Sequence, residues 1–88
     1  MNQDTISKIA AILEAWNPLG ERAGNVEGLD GYKYEAIDII STIRVINGED
    51  KYNRAIKQVL GQSFDLEIEE TKLREVSKKI EAILKGEI

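Results

Sequence analysis

The sequence predicts an all-α fold, a compact bundle of about four helices forming a single domain over residues 1–88. Apolar residues recur at three- and four-residue spacing in four separate stretches, which is the period of one face of an α-helix. Four amphipathic stretches can bury their apolar faces only by packing against one another. The length is typical of one domain. These observations together favour a helical bundle.

The first predicted helix begins near Asp4 or Thr5, either of which suits an N-terminal cap. Its end is marked by Trp16-Asn17-Pro18-Leu19, which contains the only tryptophan and the only proline of the chain. A proline disfavours helical backbone angles in the residue before it, so the helix should stop here, with the Trp16 ring packed on the core. The apolar stripe of this helix consists of Ile6, Ile9, Ala10, Leu13 and Trp16.

One long connection follows the first helix. It contains glycines at 20, 24, 28 and 31 and spans roughly fourteen residues, against a median of about 4–6 for such connections. The charge excess of the chain lies in and around it. Residues 14–38 contain six acidic and two basic residues, which gives −4, the net charge of the whole chain. Such a surface disfavours nucleic acids and anionic membranes and favours a more basic partner.

The second stretch, residues 32–46, carries isoleucines on one helical face, although its β-branched residues would also suit a strand. A helix is favoured because Asn47-Gly48 leads into another strongly helical segment. The third helix is predicted over residues 49–60, with Glu49 and Asp50 in its first turn and Gly61 as its C-terminal cap.

The fourth helix is predicted over residues 69–85, with Gly86 after its end. Three pairs of opposite charge have the favourable i, i+4 order on this helix. They are Glu70–Arg74, Glu75–Lys79 and Glu81–Lys85.

The composition excludes most catalytic and metal-binding chemistry. The chain has no histidine and no cysteine, so it lacks the commonest general base and the nitrogen and sulfur ligands of zinc. Asp30-Gly31 resembles the middle of a calcium-binding EF-hand loop, but Val26, Gly28 and Ile37 then occupy positions that require oxygen ligands. The glycines match no nucleotide-binding motif. We therefore assign no catalytic, cofactor-binding or metal-binding residue and expect no cofactor.

Aromatic and acidic residues gather around the long connection and define a candidate interaction surface, since tryptophan and tyrosine are enriched at binding hot spots. An alternative interpretation is that the rings only cover the end of the bundle. The candidate residues are Trp16, Glu21, Glu27, Asp30, Tyr32 and Tyr34.

The Trp16-Asn17-Pro18-Leu19 corner, the acidic glycine-rich connection and the tyrosine-containing second helix resemble the YugE-like family of small bacterial proteins, whose domain has no known function. The resemblance covers most of the chain. It implies a compact helical fold and supplies no established catalytic residue.

The favoured function is a noncatalytic protein-interaction module of the immunity or regulator type, which binds a more basic partner. Two alternatives stay open. One is a small-molecule-binding protein or weak enzyme with a pocket lined by Trp16, Tyr32 and Tyr34, and the other is a purely structural domain. Without an apolar run of about 18 residues or a signal-peptide pattern, we expect a cytoplasmic protein that binds neither membrane nor nucleic acid. The small size also leaves homodimerisation open.

Overall fold

A computed structural model describes residues 3–26, 28–64 and 67–86. Within these residues the chain forms four α-helices and no strand, which confirms the predicted all-α fold. Each helix packs against two others in the order α1, α2, α3, α4 and back to α1, so the helices surround one core. The helices are α1 (Gln3–Trp16), α2 (Lys33–Val45), α3 (Lys51–Phe64) and α4 (Glu70–Lys85).

The predicted apolar faces form the core. On α2 the buried apolar positions are Ala36, Ile39, Ile40 and Ile43, which follow the helical spacing and exclude the strand alternative. The isoleucines of this segment suit a strand by intrinsic preference, but burial against α1 and α3 decides the outcome. Side chains that are completely buried come from all four helices, for example Ile9, Ile39, Ile56 and Ile80.

The predicted bounds of α3 are wrong at both ends. The helix continues through Gly61 to Phe64, and its last residue packs against the core. Burial of the Phe64 ring outweighs the roughly 1 kcal/mol that glycine costs inside a helix. At the other end, Glu49 and Asp50 lie in the turn before the helix, where the Asp50 carboxylate pairs with Arg54 at 3.0 Å.

The two other helices agree more closely with the sequence. On α4 all three predicted ion pairs form, Glu70–Arg74 at 3.9 Å, Glu75–Lys79 at 3.8 Å and Glu81–Lys85 at 2.7 Å. On α1 the expected caps, Asp4 and Thr5, lie inside the helix, which already includes Gln3. In the described part of the chain, no helix combines the length and the apolar composition needed to cross a membrane.

The corner after α1 stops the helix as predicted. Asn17 adopts a left-handed conformation with φ of 50°, and its backbone N–H donates to the Leu13 carbonyl at 2.7 Å. Asparagine tolerates this conformation better than most residues, and Pro18 cannot continue a helix. The chain therefore turns away from α1 directly after Trp16 and enters two short 3-10 segments, Gly20–Asn25 and Asp30–Tyr32.

Candidate functional site

The segment Asp30–Tyr32, directly before α2, is a left-handed turn. Its three residues have φ values of 46°, 61° and 65°. Glycine adopts such angles freely and aspartate tolerates them, but a tyrosine there costs about 1–2 kcal/mol. Contacts elsewhere in the fold must therefore hold Tyr32 in this conformation.

Those contacts join Tyr32 to the corner after α1. The ring is only 1% exposed. Its hydroxyl donates to Asn17 Oδ1 at 2.7 Å and accepts the backbone N–H of Leu19 at 3.3 Å. Burial raises the pKa of the Tyr32 hydroxyl above its usual 10.0, and the neighbouring carboxylates of Glu35 and Glu14 raise this pKa further. The hydroxyl is thus neutral at physiological pH and ties the two ends of the long connection together.

This position corrects the assignment of Tyr32 to an interaction surface. A ring that is buried and hydrogen-bonded within the chain cannot contact a partner. For Tyr32 the alternative interpretation holds, since the ring covers the end of the bundle. Tyr34, two residues later, is 55% exposed and stays available for contacts.

A surface groove brings two acidic residues together from distant parts of the sequence. We call it the acidic groove. It has a volume of about 400 Å³ and lies between α1 and the left-handed turn, with Glu14 on one side and Asp30 on the other. Lys33 also lines it. A Cβ atom built on Gly31 would lie 3.2 Å from Glu14 Oε2, so glycine allows the turn to approach the carboxylate closely.

The two remaining acidic candidates are Glu21 and Glu27, of which the structure describes Glu21. Glu21 is exposed in the first 3-10 segment and does not line the acidic groove. Glu27 lies outside the described residues. Glu14 was counted in the charge excess but was not among the candidate residues. Its four-residue distance from Ala10 on α1 could have indicated that it lies on the same helix face as that half-buried residue.

Trp16 is half-buried and packs against the core, as the sequence predicts. The alternative interpretation places a pocket between Trp16, Tyr32 and Tyr34, but Tyr32 is buried in the core and cannot line a surface pocket with them. Trp16 instead lines a groove of about 310 Å³ between α1 and α4, which we call the α1–α4 groove. It also lines a smaller pocket of about 150 Å³ beside Pro18. Lys72 of α4 lines both of them.

Glu35, in the first turn of α2, is a buried carboxylate that the sequence did not reveal. The residue is 9% exposed, and Oε1 has no hydrogen-bond partner among the described residues. Burial raises the pKa of Glu35 above its usual 4.5, and the nearby charge of Asp38 raises this pKa further. A carboxylate that is desolvated in this way reduces the stability of the fold when it is ionised.

A fourth concavity lies between α3 and α4 and is polar. This cleft has a volume of about 240 Å³ and is lined by charges of both signs, including Glu49, Arg74 and Lys78. In the part of the chain that the structure describes, no group of three or more acidic side chains is arranged to hold a metal ion.

Comparison with known proteins identifies a family but not an activity. The family model described as "Domain of unknown function (DUF1871)" matches residues 8–86. No curated protein and no solved structure matches the chain. The matched range includes α2, α3, α4 and most of α1, and it covers all residues that line the α1–α4 groove. Of the acidic groove it covers Glu14 and Asp30 but not Gln3, Ile6 and Ser7. The match does not name a YugE-like family, so that finer resemblance stays a prediction.

Proposed function

Because the chain belongs to the DUF1871 family, a domain of unknown function, we propose a function from its physical features: a noncatalytic interaction module that binds a basic protein partner at the acidic groove. The single observation that carries the proposal is the convergence of Glu14 and Asp30 on one concave surface. These residues are separated by fifteen others in the sequence. The left-handed turn places them together.

Charge supports a basic partner. Residues 14–38 account for the whole net charge of −4, and both Glu14 and Asp30 are exposed. A lysine or arginine side chain of a partner could lie between the two carboxylates, while its aliphatic part contacts Ala10 and Ala11 of α1 in the same groove. Lys33 on the rim would limit how many cationic groups enter. Tyr34 offers an exposed ring next to it in sequence.

The absence of histidine and cysteine from the sequence supports a noncatalytic role. The buried Tyr32 supports it as well, because the neutral hydroxyl already donates to Asn17 and accepts from Leu19. A module of this kind acts by occupying a partner, as immunity proteins and regulators do. The electrostatic attraction would mainly raise the association rate and would depend on salt.

The test uses the double variant Glu14→Gln/Asp30→Asn, which removes both charges with little change in shape. Asparagine tolerates the left-handed conformation of residue 30. The matched control is Glu67→Gln/Glu69→Gln, which makes the same charge change at two exposed residues before α4. Partners are captured from a native lysate of the source cells, and the captured protein is then purified and titrated against each variant by calorimetry.

Two exposed ion pairs contribute about 0.2–1 kcal/mol each. The groove variant should therefore bind the purified partner about 2- to 30-fold more weakly than wild type, and the difference should shrink at high salt. The control should bind like wild type. Equal weakening by both variants would show that only net charge matters, and equal affinity of the groove variant and wild type would remove the acidic groove from the interface.

A further inference from the structure

The α1–α4 groove is chemically different from the acidic groove. Its α1 side is formed by Ala11, Ile12, Ala15 and Trp16, and its α4 side by Lys72, Val76 and Lys79. The two alanines, one helical turn apart, are exposed, and their small side chains leave space beside the Trp16 ring. The groove therefore has apolar walls and two cationic side chains on one edge.

The charges of this groove oppose those of the protein as a whole. Among the residues that the structure describes, no carboxylate lines it, although the chain has a net charge of −4. Lys72 and Lys79 share the single carboxylate of Glu75, with N–O distances of 3.7 and 3.8 Å. Since one negative charge faces two positive charges, the edge of the groove keeps a net positive charge. These pairs are exposed, so a bound anion could replace the carboxylate at little cost.

The two ends of the groove differ. At the Trp16 end, the smaller pocket beside Pro18 includes Glu67 and Glu69, whose charges disfavour an anion. Lys79 lies seven residues beyond Lys72, or about 10 Å along α4, and is farther from those carboxylates. An elongated ligand with one anionic group would therefore place that group at Lys79 and its apolar part against Trp16.

From these features we propose that the α1–α4 groove binds a medium-chain alkyl carboxylate as a free ligand in solution. The volume of about 310 Å³ is within the range of small-ligand sites. A docking helix would need apolar contacts over two or more turns, and the short groove between two lysines offers a poorer fit to it. The carboxylate accepts hydrogen bonds from the Lys79 ammonium group, and the alkyl chain covers Ala15 and Trp16.

The experiment is a titration of wild-type protein with octanoate and decanoate below their aggregation concentrations. Trp16 is the only tryptophan, so tryptophan fluorescence reports on the surroundings of this one ring, which lines the α1–α4 groove and the smaller pocket beside Pro18. Binding should saturate, and the affinity should rise about fourfold for each added methylene group, as expected for burial of apolar chain. Decyltrimethylammonium, which has the same chain length and the opposite charge, should bind at least tenfold more weakly than decanoate.

Two pairs of variants locate the ligand. Ala15→Leu should fill the groove and reduce decanoate affinity at least tenfold, whereas Ala82→Leu, the same change at an exposed position of α4, should not. Lys79→Gln should weaken binding several-fold, and Lys78→Gln, which is adjacent but lines the polar cleft, should leave it unchanged. Amide chemical-shift changes in wild type should concentrate in residues 11–16 and 72–79, which provides a readout that does not depend on any variant.

Three outcomes would overturn the proposal. Equal binding of the cationic and anionic amphiphiles would indicate nonspecific apolar adsorption. Retained affinity in Ala15→Leu, or shift changes outside the groove, would place the ligand elsewhere. Decanoate could fail to bind while an acidic amphipathic peptide or anionic vesicles bind saturably and shift the amide signals of residues 11–16 and 72–79. That result would show that the groove binds a protein segment or a lipid surface instead.

Discussion

Replacement of Tyr32 by phenylalanine tests whether one hydroxyl group holds the long connection in place. The substitution keeps the buried ring and the left-handed backbone, and it removes only the oxygen that contacts Asn17 and Leu19. Asn17 is exposed, so its side chain can turn to water after the change. Leu19 is 4% exposed, so its backbone N–H is left without an acceptor inside the protein.

The expected loss follows from these two bonds. The hydrogen bond from the hydroxyl to Asn17 contributes about 0.5–1.5 kcal/mol, and an unpaired buried N–H costs about 1–3 kcal/mol. The free energy of unfolding should therefore fall by about 2–4 kcal/mol. A chain of this length has a total stability on the order of 4–13 kcal/mol, so the change is a large fraction. In thermal unfolding it corresponds to a decrease in Tm of at least about 8 °C.

Urea unfolding followed by Trp16 fluorescence and by far-UV circular dichroism measures this loss. Tyr34→Phe is the matched control, because it removes the same hydroxyl from a side chain that is 55% exposed. It should change stability by less than about 0.5 kcal/mol. If the two variants unfold at the same urea concentration with equal m-values, Tyr32 does not hold the connection, and the reasoning about the left-handed turn is refuted.

Further predictions concern a buried carboxylate and two glycines. Glu35→Gln should raise the free energy of unfolding at pH 7, because it removes a buried charge. The folded-state pKa of Glu35 lies above its usual 4.5, so the advantage of the variant should shrink as pH falls from that raised pKa through 4.5. A difference in urea midpoint that does not change with pH would contradict this prediction. Gly61→Ala should stabilise the protein by about 0.5–1 kcal/mol, because the residue lies within α3 and an added Cβ meets nothing within 4 Å. Gly31→Ala should destabilise by about 1–2 kcal/mol, because φ is +61° and the added Cβ approaches Glu14. A lower urea midpoint for Gly61→Ala would contradict the first of these two explanations, and an unchanged or higher midpoint for Gly31→Ala would contradict the second.

The helical periodicity predicted the fold because it follows directly from burial of one face of each helix. The periodicity alone left α2 open to a strand, and it predicted a helix there only together with the strongly helical segment that follows Asn47-Gly48. Burial of Ala36, Ile39, Ile40 and Ile43 confirms this helix, because these residues repeat at helical spacing. The prediction failed at Gly61, where local preference predicted a helix end. There the burial of Phe64, a tertiary contact, extends α3 by four residues beyond Leu60.

The candidate site could be predicted only in part. The charge excess located an acidic region, and Asp30 does line the acidic groove. Local sequence patterns could not predict the left-handed turn, because the turn is stabilised by hydrogen bonds between Tyr32 and two distant residues, Asn17 and Leu19. The α1–α4 groove needed the packing of two helices that are distant in sequence, so no local motif could have connected Trp16 with Lys79.

The proposed interaction surface depends on the buried Tyr32, because the left-handed turn that contains Tyr32 also positions Asp30 opposite Glu14 in the acidic groove. The Glu14 carboxylate raises the pKa of Tyr32, and Glu14 Oε2 lies 3.2 Å from a Cβ built on Gly31. Glu14 is therefore close to two residues of the left-handed turn. Loss of the Tyr32 hydroxyl should therefore loosen Asp30 relative to Glu14 and weaken partner binding together with stability. Glu14→Gln/Asp30→Asn should weaken binding without a comparable loss of stability. If Tyr32→Phe destabilised the fold but bound the partner with wild-type affinity, the partner would not depend on the arrangement of these two carboxylates.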